Sequence, residues 1–242
     1  GRVSVTSEPR ETRSAQSFNQ HFPTTHATWV HEAQSEDEAV LARLAQRLIE
    51  RYAQPLEAYA QGSTLREIAE PREIVHAFLV TKFASPAATR AYLAAWNASG
   101  LSLRRWMMNG LLLHARGIVR DAQRSRERPF DGAERTVASN ASTAEDIFER
   151  AWAQAILAEA CAQVELTLAA EGRDRAWRVF RVHSIDGRAY SELEEEFGLS
   201  RQQMADLVRG VTAKLRTRVR ELLDEEGLPG DEGVDEIVRL LT

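Results

Sequence analysis

Apolar residues recur every three or four positions over long stretches of this chain, and no alternating pattern rises above that background. Val40, Leu41, Leu44, Leu48, Ile49, Tyr52, Leu56 and Tyr59 trace the first long helix. Ser35 and Glu38 read as its capping box, and Pro55 predicts a kink or a division within it. Gln61 to Thr64 breaks the pattern. A second helix is predicted over PREIVHAFLVTKFA, with Pro71 in its first turn and Ile74, Val75, Phe78, Leu79 and Phe83 as its apolar stripe. Tyr92 to Trp96 opens a third element. The next runs through LSLRRWMMNGLLLHARGIVRDAQRSRER, where Leu103, Trp106, Met107, Leu111, His114 and Ile118 are compatible with a core face. Thr143 is placed to cap a further long helix carrying Ile147, Trp152, Ile156, Leu157, Val164 and Leu168, and Trp177, Val179, Phe180 and Val182 follow in another.

The last patterned stretch, Tyr190 to Leu222, has a different organisation. Leu193, Phe197, Leu199, Met204, Leu207 and Val208 fall where two short helices crossing at a tight turn bury their apolar faces, with Gly198 at the turn and Ser200 at the second helix's N-cap. This is the pattern of a helix-turn-helix. Its second helix and extension leave Arg201, Gln202, Gln203, Asp206, Arg209, Lys214, Arg216, Arg218 and Arg220 for the surface. Six Arg or Lys stand against the single acid Asp206 between residues 201 and 220, whereas residues 191 to 200 hold four glutamates and no base. Charge is therefore sorted by segment, as a DNA-reading helix requires. An ordinary helical hairpin with a solvated basic face is the plainer alternative.

Charge singles out a second stretch. Between Leu101 and Arg128, Arg104, Arg105, Arg116, Arg120, Arg124, Arg126 and Arg128 face only Asp121 and Glu127. Guanidinium forks suit phosphates and base edges, and Trp106 and Asn109 stand beside them. Trp106 has two readings, a core residue or a platform on which an unpaired base stacks.

Composition changes this picture only at its edges. The 242 residues contain seven prolines and thirteen glycines amid abundant Ala, Leu, Arg and Glu, which favours an all-α chain. A net charge of -5 argues against indiscriminate coating of nucleic acid and makes charge distribution the useful quantity. Lone Cys161 excludes a disulfide framework and reads as a small core residue. His21, His26 and His31 do not share a helical face, so no metal is expected; His76 has no catalytic partner in sequence. Neither paired catalytic groups nor a phosphate loop stands out, so catalytic residues and cofactors are expected to be none. No signal peptide or membrane span is recognisable, and the expected location is cytoplasmic. The predicted organisation is a flexible tail at 1–20, a helical domain at 21–128, a linker at 129–143, a helix-turn-helix domain at 144–224 and an acidic tail at 225–242. From Glu221 onward eight acids face Arg239 alone, so that tail is expected to fold over the basic recognition helix and weaken DNA binding.

Two helical domains, each ending in a basic helix and joined by a flexible linker, resemble bacterial RNA polymerase sigma factors of the extracytoplasmic-function group. GLSRQQMADLVRGVTAKLRTRVREL is similar to the promoter-reading end of that group's C-terminal, sigma4-like domain. LSLRRWMMNGLLLHARGIVRDAQRSRER is similar to the helix of the sigma2-like domain that opens and reads the promoter element nearest the start site. FPTTHATW and AEDIFERAWAQAILAEACAQVE are similar to a subgroup associated with planctomycetes, and the resemblance spans about residues 20 to 225. It implies a promoter-specificity factor with core RNA polymerase and promoter DNA as partners, and an anti-sigma factor or other regulator as a further one. Ser200, Arg201, Gln202, Gln203, Asp206, Arg209, Lys214 and Arg216 would then face the distal element, and Arg104, Arg105, Trp106, Asn109, Arg116, Arg120 and Arg124 the proximal one. Glu70, Glu73, Ile74, Phe78 and Phe83 would contact the polymerase clamp. Two departures stand out: Val75-His76 replaces the Gln-Glu pair usual in the clamp helix, and Glu194 stands where such helix pairs generally carry a small residue. A helix-turn-helix regulator or adaptor that does not recruit polymerase is the alternative.

Overall fold

Leu41, Leu44, Leu48, Tyr52, Leu56 and Tyr59 line one buried side of a single helix, α2 (Glu38–Gly62), which continues through Pro55 without dividing. The computed structural model describes residues 27–125, 141–228, 233–235 and 237, and all regular structure among them is helical. The cap of α2 is Asp37, whose Oδ1 accepts from the Ala39 N–H at 2.8 Å; Ser35 sits two residues earlier and accepts from the Asp37 N–H. The helix therefore starts at the residue whose extended backbone aims a carboxylate at the free N–H groups, not at the first Ser in the pattern.

A short helix, α1 (Ala27–Ala33), precedes it and inserts Trp29 into the core. After a 3-10 turn at Thr64–Glu67 come α3 (Pro71–Phe83) and α4 (Pro86–Ser99), each with Pro in its first turn. Glu70 caps α3 and Ser85 caps α4, while Gly100 closes α4 in the left-handed conformation. The basic helix α5 (Leu103–Ser125) then packs Leu103, Met107 and Leu111 against α2 and α3.

The expected linker at 129–143 lies outside the described residues as far as 140, but 141–143 are already helical. Helix α6 (Ala141–Ala170) therefore starts before Thr143, which sits exposed inside it. Its buried stripe is Ala144, Phe148, Trp152, Ile156, Ala160, Val164 and Leu168; Ile147 and Leu157, expected in the core, face outward instead. The stripe settles on α2. Gly62 abuts Ala144, the Tyr59 and Phe148 rings meet edge to face at 6.4 Å, and Arg51 bonds Glu159, so the two helices run antiparallel. Residues from both sides of the expected domain boundary thus share one continuous core.

Helix α7 (Asp174–Phe180), a π-helical turn at Arg181–Ile185, α8 (Tyr190–Phe197) and α9 (Arg201–Glu225) complete the described chain. The first turns of α9 join Val179, Leu193, Phe197 and Met204 in a small second core. Its later residues Val211, Leu215, Val219, Leu222 and Leu223 belong to the main one. No helix among the described residues is long and apolar enough to cross a membrane.

Close approach of α5 to α3 and α4 depends on Gly110. A Cβ there would lie 2.6 Å from the Tyr92 hydroxyl and 3.0 Å from Phe78, whereas one at Gly117 on the same helix meets nothing within 4 Å. Gly110→Ala is expected to destabilise the fold by about 1–3 kcal/mol through overpacking. Gly117→Ala is expected to stabilise it by about 0.5–1 kcal/mol through helix propensity. Urea unfolding of both variants reads the opposite signs.

Candidate nucleic-acid interface

The helix-turn-helix is built by local rules. Gly198 ends α8 with a φ of 58° and donates its N–H to Glu194 O at 2.9 Å. Two residues later Ser200 opens α9 through a full capping box: its Oγ accepts from the Gln203 N–H, and Gln203 Oε1 accepts from the Ser200 N–H. Leu193, Phe197 and Met204 bury beneath the turn, with Leu199, Leu207 and Val208 packed around them. Arg175 donates to Phe197 O, and the Arg178 guanidinium lies 5.5 Å from the Phe197 ring, so α7 holds α8 from behind. Glu194 does not sit between the helices. Its half-exposed carboxylate accepts from Arg201 Nε at 3.1 Å across the mouth of the turn.

Of the residues expected to face a distal element, Arg201, Gln202, Arg209 and Arg216 are exposed on α9. Asp206 accepts from Gln202 Nε2 at 3.1 Å and from Arg209 Nη1 at 3.0 Å, tying three positions spaced four and three apart into one ridge. Ser200 and Gln203 spend their side-chain oxygens on the cap. Lys214 turns aside to Glu171 at 2.9 Å, holding that exposed carboxyl below its ordinary range. Water screens such exposed pairs, so each cation can exchange its carboxylate for a phosphate at little cost.

The residues expected at a proximal element divide into two groups. Arg116, Arg120 and Arg124 are exposed, and Arg124 pairs with Asp121 on its own helix. Arg104 is 9% exposed, donates to Glu149 of α6 and lies 4.2 Å over the Trp152 ring. Arg105 pairs with Glu145 at 2.7 Å. Trp106 is partly buried against Tyr92, with ring centres 5.6 Å apart, which is its core reading; Asn109 is half-buried too. Arg126 and Arg128 lie outside the described residues.

The clamp-facing set requires correction in part. Ile74, Phe78 and Phe83 are buried in the core, because the apolar stripe of α3 turns toward α2 and α5. Glu70 spends a carboxylate oxygen on the Glu73 N–H at 3.1 Å. The open face of α3 is formed by Arg72, Glu73, His76, Ala77, Val80 and Thr81. His31 is exposed on α1, while His21, His26 and Phe22 lie outside the described residues. Cys161 packs at the edge of the core, where burial pushes its thiol up. Among the described residues, no three His, Cys, Asp or Glu side chains are grouped to hold a metal ion.

One cluster escapes the sequence reading altogether. Arg51, 2% exposed in the middle of α2, donates to Glu159 of α6 at 2.9 Å, to Glu225 at 3.1 Å and to Glu226 at 2.9 Å. The Trp29 ring covers it at 4.9 Å, and the neighbouring Tyr52 hydroxyl bonds Glu226. Burial alone would pull the guanidinium down, but Glu226, Glu159 and Glu225 outweigh it and hold its pKa above the ordinary value. Burial, reinforced by Glu226, raises the Tyr52 hydroxyl well above its ordinary 10.0. At the start of the acidic C-terminal segment, Glu225 and Glu226 turn to Arg51 of α2, with Glu225 also 3.9 Å from Arg218 late in α9. Buried Ile237 lies in the same main core.

Arg51→Ala is expected to cost about 3–5 kcal/mol in chemical unfolding, since it strands buried carboxylates without their cation. Alkali attacks the same cluster. A tyrosine whose pKa is raised by folding stabilises the fold fully below its unfolded pKa and loses that contribution as pH climbs toward the folded value. Stability is therefore expected to fall above about pH 10, with phenolate absorbance of Tyr52 emerging together with loss of helical circular dichroism. Tyr52→Phe should remove that share of the alkaline loss.

No family model, curated protein or solved structure matches the chain.

Proposed function

We propose that this protein is a promoter-specificity factor of the extracytoplasmic-function sigma type, acting in the cytoplasm. It binds core RNA polymerase, reads a distal promoter element through α9 and a proximal one through α5, and supports melting with no chemistry of its own. The observation that carries this reading is the capped helix-turn-helix, whose second helix presents Arg201, Gln202, Arg209 and Arg216 to solvent, the last three about two turns apart. That is the chemistry of major-groove readout: Arg forks match guanine O6 and N7, and the Gln amide matches adenine N6 and N7. Exposed Arg116, Arg120 and Arg124 give α5 the backbone-tracking charge a second reader needs. An anti-sigma factor or another regulator fits as a further partner.

A second reading, a helix-turn-helix regulator or adaptor that does not recruit polymerase, draws on specific observations. Ile74, Phe78 and Phe83 are buried, and Arg104 and Arg105 are engaged by α6. Affinity capture with core polymerase followed by run-off transcription separates the two. A core-bound fraction that directs initiation supports the first; DNA binding without any core-bound fraction overturns it in favour of the second.

Within either reading the residues of α9 have separable roles. Arg201→Ala is expected to cost about 1–3 kcal/mol at one base position and to relax specificity there. Arg216→Ala is expected to weaken all sequences alike and to reduce the salt slope of binding by about one ion. Binding titrations across salt concentrations, on matched and mismatched duplexes, measure both.

A further inference from the structure

We propose that α6 is a built-in mask on the first turn of α5, occupying Arg104 and Arg105 with groups that stand in for a nucleic acid. This inference rests on the reading of α5 as a nucleic-acid reader. The residues of α6 that touch these arginines are Glu145, Glu149 and Trp152, at spacings of four and three along one face. Each offers what a nucleotide would offer. The two carboxylates take guanidinium N–H groups as phosphate oxygens do, and the indole lies beneath the Arg104 plane as a base would. Arg104 is buried and Arg105 half-exposed in these contacts, whereas Arg116 and Arg120 farther along α5 are exposed.

The mask is held at both ends of α6. Near its start, Gly62 of α2 abuts Ala144 so closely that an added Cβ would meet Ile147 Cδ1 at 2.8 Å. Farther along, Glu159 shares buried Arg51 with Glu225 and Glu226. In these pairs the bases Arg51, Arg104 and Arg105 belong to α2 and α5, and the acids Glu145, Glu149, Glu159, Glu225 and Glu226 to α6 and the end of α9. Because the mask is part of the same chain, its effective concentration at the arginines is high, on the order of millimolar or above. A nucleic acid must displace it to use the whole of α5, and displacing it loosens α9 as well.

A reversible staple tests this directly. A Cβ at Gly62 would lie 3.8 Å from Ala144 Cβ, the mean separation across a disulfide being about 3.8 Å. Gly62→Cys with Ala144→Cys, in a chain also carrying Cys161→Ser, should therefore lock α6 onto α2 when oxidised. The obstructing Ile147 methyl is the end of a flexible side chain. The probe is a labelled single-stranded oligonucleotide at low salt, which offers no major groove to α9, and circular dichroism first establishes that both redox forms are folded. Oxidation is expected to weaken binding about tenfold and reduction to restore it. Glu145→Gln with Glu149→Gln, with no staple, is expected to tighten binding severalfold. Equal binding by both redox forms and by the double Gln variant overturns the mask and leaves the nucleic-acid reading intact. No binding by any form, in a parallel assay with core polymerase added as well, overturns that reading and the mask with it.

Discussion

A guanidinium buried in the middle of a helix dictates how the rest of this molecule is arranged. Arg51 stands in the apolar stripe of α2, between Leu48 and Leu56, where neutralisation is not an option for a group that keeps its proton throughout the accessible pH range. Removing it from water is tolerable only if carboxylates arrive with good geometry, and they arrive from the far side of the chain. Glu159 fixes the register of α6 on α2, and Glu225 and Glu226 fix the end of α9 on both. Trp29 roofs the cluster and explains why so short a helix as α1 is held. Any sliding of one helix by a turn would separate the charge from at least one partner, so the cluster selects a single packing as well as contributing to its stability.

The consequence for the candidate interface lies in α9, which belongs to two cores at once. Its first turns are gripped by α7 and α8 around Met204, and its last turns by α2 and α6 around Leu222 and Leu223. Between them runs one uninterrupted helix. The orientation of the exposed ridge Gln202, Asp206 and Arg209 is thereby set by a buried charge at the helix's opposite end. Energetics divide in the same way. The ridge is held by weak exposed pairs, so its side chains can exchange partners on a backbone packed into a core at each end.

Features written in neighbouring residues were legible from sequence. Gly198, Ser200 and Gln203 specify the turn and the cap within six positions, and the stripe of α2 follows from spacing alone. Where the sequence reading failed, the deciding partner was distant. Arg104 counted as one of seven cations because its acid, Glu149, lies 45 positions away; Arg51 passed unnoticed with partners 108 and 175 positions away. A signal for Arg51 did exist. A charged residue within a stripe of leucines and tyrosines is either snorkelling or paired, and α2 offers it no route to water. The clamp-facing set came from the resemblance alone, and the helical spacing of Ile74, Phe78 and Phe83 already marked them as a stripe, which is first of all the face that buries.

Segment charge therefore measures something narrower than the reading of α5 assumed. An arginine count along a helix gives the charge that neighbouring elements can neutralise, and only the fold says how much of it they do. In α5 the half nearest α6 is neutralised by Glu145 and Glu149, and the half beyond carries its charge into solvent through Arg116 and Arg120. In α9 the order is reversed along the chain. Near its N-terminus Arg201 and Arg209 stay exposed in pairs with Glu194 and Asp206, whereas farther along Lys214 meets Glu171, just past the end of α6, and Arg218 meets Gln163 of α6 and Glu221 of α9. Both basic helices are thus engaged where α6 meets them, α5 through Glu145 and Glu149 and α9 through Gln163. The position of α6 is set in turn by where Arg51 meets Glu159.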